Sequence, residues 1–120
     1  MRREKADTAY LWDMLDAAKS AVEYTSGKTF EQYIQGPMLR HAVERVVEII
    51  GEAARNVSDE FRTQHPEIPW KQIVAQRHIV AHEYDDLQDN LIWTVATQHA
   101  ADLIRLLEPL IPPPPDSPED

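Results

Sequence analysis

Apolar residues fall three or four positions apart through three long stretches of this chain, with little of the two-residue alternation of a half-buried strand. That spacing gathers side chains along one face of a helix, so the fold expected is all-α. The first stretch runs from about Thr8 to Thr25, with Leu11, Met14, Leu15, Ala18, Ala21 and Val22 in one stripe. Gly27 stands where such a helix would stop. Thr29-Phe30-Glu31-Gln32 reads as a capping box for a short helical turn carrying Phe30, Tyr33 and Ile34. Gly36-Pro37 opens a second long helix, because a proline at the first helical position has no N–H to lose. Its stripe of Met38, Leu39, Ala42, Val43, Val46, Val47, Ile49, Ile50, Ala53 and Ala54 is wide enough for burial on more than one side.

Ser58 to Pro69 reads as irregular or at most a short helical turn, with Pro66 and Pro69 bracketing Glu67-Ile68. Pro69-Trp70 starts a third helix through Ile73, Val74, Ile79 and Val80. Asp85-Asp86-Leu87-Gln88 reads as a turn and a capped start, which puts Tyr84 near a helix end. The last helix is expected from about Leu87 to Leu110, with Leu91, Ile92, Val95, Leu103, Leu106, Leu107 and Leu110 inward. Four prolines from Pro112 end it, so residues 1–111 form one helical domain and 112–120 a disordered or polyproline acidic tail.

A chain of 120 residues, 42% of them apolar, can bury a core without metal or disulfide staples. It has no cysteine, which excludes disulfides, thiolate metal sites and a cysteine nucleophile. The charged start, Met1 to Asp7, has no apolar run behind it, and nowhere do 18 apolar residues follow one another. The expectation is a cytoplasmic protein that makes no use of a membrane, in which Asn56-Val57-Ser58 matches a glycosylation acceptor only by chance. The formal charge is −9, and removing Asp116, Glu119 and Asp120 of the tail still leaves 18 acidic against 12 basic residues, or −6. A nonspecific nucleic-acid binder normally presents a basic face. The balance therefore argues against tight RNA binding by an isolated subunit, and suits a basic protein partner.

Against that background one segment carries chemistry, Arg77-His78-Ile79-Val80-Ala81-His82-Glu83-Tyr84. Arg77 is a permanent cation, His82 moves protons near neutral pH, and Tyr84 offers a phenolic oxygen, a set suited to a phosphodiester. On an ideal helix Arg77 and His82, five residues apart, diverge by roughly 140° at ~100° per residue. They converge only through a distorted helix end or a second copy of the segment across a two-fold axis. His78 and His82, at i and i+4, share a face and could hold zinc, but Ile79 stands where the metalloprotease pattern has its glutamate. No metal is expected. Glu83 and Glu52 are conceivable third ligands that nothing in the sequence places, and His41, His65 and His99 read as surface or helix-face residues. A purely structural account of the same three residues also stands: Arg77 in a salt bridge, His82 satisfied at a helix end, Tyr84 packed under the next turn. Glu44, Arg45, Glu48 and Glu52 read as a polar helix face, and Asp85 with Asp86 as a helix start.

The flanking sequence adds to this. With Ile50-Gly51-Glu52-Ala53-Ala54 in the central helix, His65-Pro66-Glu67-Ile68-Pro69-Trp70 before the motif and Leu91-Ile92-Trp93 after it, the chain resembles the HepT branch of the HEPN superfamily from its first helix to its last. The family more often has asparagine directly after the arginine, where this chain has His78. The resemblance implies an up-and-down bundle of four to five helices that forms a homodimer. It implies a metal-independent endoribonuclease toxin without a cofactor, paired with a small nucleotidyltransferase antitoxin of the MntA type that adenylylates Tyr84. Arg77 and His82 would be catalytic, Tyr84 the modified residue, and His78 and Glu83 their supporting neighbours. The competing expectation is a non-catalytic helical partner of such a nucleotidyltransferase.

Overall fold

The computed structural model describes the backbone of residues 2–81 and 86–112, and the side chains of 7–76 and 88–112. Every regular element among the described residues is helical: α1 (Arg2–Thr25), α2 (Phe30–Gln35), α3 (Pro37–Asn56), α4 (Asp59–Gln64), α5 (Trp70–Ala81), α6 (Asp86–Thr94) and α7 (Ala100–Leu107). A π-helical segment (Val95–His99) joins α6 to α7, and a 3₁₀ turn (Glu108–Leu110) follows. Thr94 and Ala100 keep right-handed helical dihedrals on either side of the π segment, so α6, the π segment and α7 form one rod. Six rods result among the described residues, against the four to five expected, because both short segments close into helices. α3 lies between α1 and α5, and α1 packs against α3 and α7. No helix of the described residues is long and apolar enough to cross a membrane.

The core follows the helical stripes. Leu11, Met14, Leu15, Ala18 and Ala21 of α1 meet Val43, Val47, Ile50 and Ala54 of α3, with Leu103 and Leu107 of α7 closing the other side. At the end of α1, Gly27 takes φ +73°, a left-handed conformation that glycine adopts without a Cβ clash. The Thr29 box forms as the sequence predicts: Thr29 N–H donates to Gln32 Oε1 at 2.9 Å and Gln32 N–H to Thr29 Oγ1 at 3.1 Å. Gly36 joins α2 to α3 where a Cβ would come within 3.0 Å of the Gln32 carbonyl oxygen. α2 is then held down by aromatics, with Tyr33 and Trp93 ring centres 5.2 Å apart and Phe30 6.1 Å from each.

Several expectations need correction. α1 begins at Arg2 rather than Thr8, because Arg, Glu, Lys and Ala favour helix without leaving an apolar stripe to read. Met38 is 87% exposed: five residues before Val43, it lies roughly 140° around α3 from the buried face. Leu91 is exposed as well, while Ile92, Val95 and Ala96 turn inward.

Ser58 to Pro69, read as irregular or one turn, contains α4, and a long-range contact secures it. Ser58 Oγ accepts from Phe61 N–H at 3.2 Å as the N-cap. Asp7 of α1 accepts from both the Ser58 backbone N–H (2.8 Å) and its hydroxyl (2.7 Å). One carboxylate thus ties the α3–α4 link to the first helix. Ser58→Ala is expected to lose about 1–2 kcal/mol of stability in urea denaturation, as cap removal does. Asp7→Ala should lose a similar amount, and the double variant clearly less than the sum because the residues share one network. Strict additivity would mean that the two do not act together.

Candidate active site

α5 carries the first part of the motif, Arg77 to Ala81, and its start is locked by the loop before it. The Trp70 indole N–H donates to the His65 carbonyl at 2.9 Å, Trp70 N–H to the Ile68 carbonyl at 2.8 Å, and Ile73 N–H to the Pro69 carbonyl at 3.0 Å. His65 packs against Phe61 with ring centres 4.4 Å apart and sits 3.2 Å from a Glu67 carboxylate oxygen. The Pro-Glu-Ile-Pro-Trp run is therefore a brace. From it, α5 buries Trp70, Ile73 and Gln76 at three-residue intervals and leans on α3.

Arg77 and His78 occupy the last turns of α5, with helical backbone. Their side chains lie outside the described residues, as do His82, Glu83, Tyr84 and Asp85 altogether, so the zinc reading of His78 and His82 falls outside them too. The flanking helix ends are described: α5 runs to Ala81 and α6 starts at Asp86, with Tyr84 between them in sequence. No group of three or more potential metal ligands occurs among the described residues. His41 and His99 are exposed, as read from the sequence, whereas His65 is half-buried at the end of α4.

A buried charged cluster lies beside the start of α6, and sequence reasoning missed it. Glu44, read as part of a polar helix face, is 8% exposed, and Asp89 is buried as well. Arg40 stands between them, Nε 3.6 Å from Glu44 Oε2 and Nη2 3.5 Å from Asp89 Oδ2. These are charge contacts too long for good hydrogen bonds. Glu44 Oε2, Asp89 Oδ1 and the fully buried Tyr33 hydroxyl have no hydrogen-bond partner among the described residues. Burial, then the carboxylates of Glu44 and Asp89, push the Tyr33 phenol above its usual range, with Arg40 acting in the opposite sense, so Tyr33 stays neutral near physiological pH. The available signal was the breadth of the α3 stripe together with the i, i+4 spacing of Arg40 and Glu44. Arg45, Glu48 and Glu52 are more exposed, with Arg45–Glu48 at 3.3 Å and Arg55–Glu52 at 3.1 Å.

The second feature the sequence did not reveal is a cavity of about 450 Å³ between α3, α5, the π segment and α7. Its walls are chiefly aliphatic, from Ile50, Ile73, Val95 and Leu103. Gln76, directly before Arg77, also lines it; only 7% exposed, its Oε1 has no hydrogen-bond partner among the described residues. An open buried acceptor costs about 1–3 kcal/mol.

A family profile described as Ribonuclease HepT-like matches residues 14–110. A provisionally named RNase of Methanocaldococcus jannaschii is 37% identical over 90 residues, 75% of this chain and 83% of that one. A "Probable ribonuclease HepT" of Thermococcus cleftensis is 34% identical over 93 residues, 78% of this chain and 83% of its own. Another provisionally named RNase, from Caldanaerobacter subterraneus, is 32% identical over 107 residues, 89% of this chain and 96% of that one. No solved structure matches the chain significantly.

Proposed function

This chain belongs to the HepT-like ribonuclease family, and from that premise we propose that it is a metal-independent endoribonuclease, the toxin of a toxin–antitoxin pair. The observation that carries the reading is the Arg77, His82 and Tyr84 set inside the matched residues. In the reaction proposed, the ribose 2′-oxygen attacks the adjacent phosphorus as the bond to the 5′-oxygen breaks, leaving a 2′,3′-cyclic phosphate and a 5′-hydroxyl. His82 takes the 2′-hydroxyl proton, and as imidazolium can supply the proton that the departing 5′-oxygen needs. Arg77 offsets the charge building on the phosphoryl oxygens, for which its planar donors suit better than lysine's point charge. A nucleophile carried by the substrate asks for neither metal-bound water nor a thiolate, and limits the activity to RNA. His78 and Glu83 are supporting residues in this reading.

Arg77 lies on the helical backbone of Trp70–Ala81 and His82 outside the described residues; continued as an ideal helix, the two would diverge. A homodimer brings two copies of the motif together and supplies the convergence. The partner is an MntA-type nucleotidyltransferase that adenylylates Tyr84, placing a negative charge and a bulky group close in sequence to Arg77, where it competes with the RNA phosphate. The working unit is residues 1–111, with 112–120 as a tail, in the cytoplasm. The charge of −9 favours a second reading, in which the chain is a non-catalytic partner that positions the nucleotidyltransferase.

One experiment separates them. Protein expressed alone is expected to be toxic and to cut labelled RNA in excess EDTA. Protein co-expressed with an MntA-type nucleotidyltransferase is expected to gain the mass of AMP and stop cutting, while Tyr84→Phe gains no adduct. No cutting by unmodified, dimeric protein moves the conclusion to the interaction partner, and an adduct that persists in Tyr84→Phe removes Tyr84 as its site.

A further inference from the structure

The Arg40 cluster is an unfavourable way to hold two helices together. Its two charge contacts, at 3.6 and 3.5 Å, are long, and the buried Tyr33 Oη, Glu44 Oε2 and Asp89 Oδ1 have no hydrogen-bond partner among the described residues. Apolar residues of similar volume often fill such a place as well or better. Their attraction depends on the area they cover and has no direction. A cation held between two carboxylates does have direction. Arg40 reaches Glu44 through Nε and Asp89 through Nη2, a two-sided contact that suits a planar guanidinium and not the point charge of a lysine.

What the cluster directs is the start of α6. Asp89 stands in the first turn of that helix, and Trp93, one turn on and on the same face, packs against Tyr33 and Phe30 of α2. The aromatic contacts press α6 onto α2, and the ion pair fixes its register against α3. α5 leans on α3 too, with Ile73 and Gln76 buried. Between these two seated helices, from Ala81 to Asp86, the chain has only His82, Glu83, Tyr84 and Asp85. A link that short takes its course from the helix ends it joins, because each residue spans at most ~3.6 Å. We propose that Arg40, Glu44 and Asp89 are positioning residues, which fix the start of α6 on α3 and thereby place His82 and Tyr84 relative to Arg77. They act through the helix start and not on the RNA. Their effect on cleavage rests on the ribonuclease reading; their effect on the placement of the motif does not.

The test uses the full chain and two variants. Arg40→Met with Glu44→Gln and Asp89→Asn removes all three charges together, so no buried carboxylate is left uncompensated. Asp89→Asn alone breaks the tie between α3 and α6 and leaves Arg40 with Glu44, which keeps the test open should the triple variant fold poorly. In folded protein, kcat for RNA cleavage should fall about 10- to 100-fold with KM within about 3-fold of wild type, since a misplacement of about 1 Å can cost ~10²-fold in rate. The NMR signals of His82 and Tyr84 should shift in both variants, although neither residue is altered or adjoins an altered one in sequence. Arg45→Met, which breaks an exposed pair on the same helix, should change neither turnover nor those signals. A folded Asp89→Asn or triple variant that turns over at the wild-type rate would overturn the proposal, as would a loss carried by KM alone, which would put the cluster against the RNA. Unmoved His82 and Tyr84 signals would overturn it whatever happens to cleavage. If the wild type cuts no RNA, the ribonuclease reading fails by itself, and shifted signals would still uphold the placement.

Discussion

His82→Ala is expected to lower single-turnover RNA cleavage by about 10²- to 10⁴-fold, the usual worth of a positioned proton-transfer group. Arg77→Ala is expected to fall by at least ~10²-fold, because removing one donor from a developing oxyanion has effects of that order. Both follow from the chemistry of the phosphodiester: the 2′-hydroxyl is a poor nucleophile until its proton leaves, and the phosphoryl group gathers negative charge as it is attacked. The measurement is cleavage of end-labelled RNA by excess protein in EDTA, with circular dichroism and sedimentation showing that each variant keeps its fold and its association state. Mixing the two inactive variants then reports whether one subunit or two supply the pair. If Arg77 and His82 act across a two-fold axis, mixed dimers regain one intact pair and part of the activity. Cutting by His82→Ala at the wild-type rate would remove His82 from the mechanism, and wild-type cutting by Arg77→Ala would do the same for the cation.

The second large effect lies in stability. Arg40→Met should destabilise the chain by about 3 kcal/mol, because it leaves two buried carboxylates facing each other without a cation. The half-buried position of Arg40 sets that figure at the low end of buried-pair losses. Glu44→Gln with Asp89→Asn in the Arg40→Met background should recover most of the loss, since the neutral amides remove the uncompensated charge. Tyr33→Phe should be close to neutral, because its hydroxyl makes no hydrogen bond to lose among the described residues. Urea denaturation of the four proteins measures this. A loss from Arg40→Met below about 1 kcal/mol would show that the cluster is effectively solvated, contrary to its burial.

The cluster also shows how far the chain could be read without its fold. Helix class, the Thr29 capping box, the Gly27 stop, the proline start of α3 and most of the α1 and α3 core were legible, because each depends on interactions within a few residues along the chain. The resemblance that led to the family came from the same short-range patterns around Arg77, His82 and Tyr84. Glu44 was misread for the opposite reason. Its neighbours one turn away on α3, Arg40 and Glu48, are charged and compatible with solvent, and only the arrival of α2 and α6 buries it beside Arg40, Tyr33 and Asp89. Asp7 and Ser58 are 51 residues apart, so no local pattern announces their hydrogen bonds. Leu91 belongs to an apolar run, yet it faces outward where Ile92, Val95 and Ala96 fill the core. The cavity at Gln76 is the clearest case, since a glutamine in a helix looks like any surface residue until three other segments close around it. By itself the sequence determined the long helices and the Thr29 cap and singled out the candidate reactive side chains, which are matters of spacing and residue type. Tertiary structure alone decided which polar groups are buried and which space is left open, because burial is a relation between segments that the linear order does not contain.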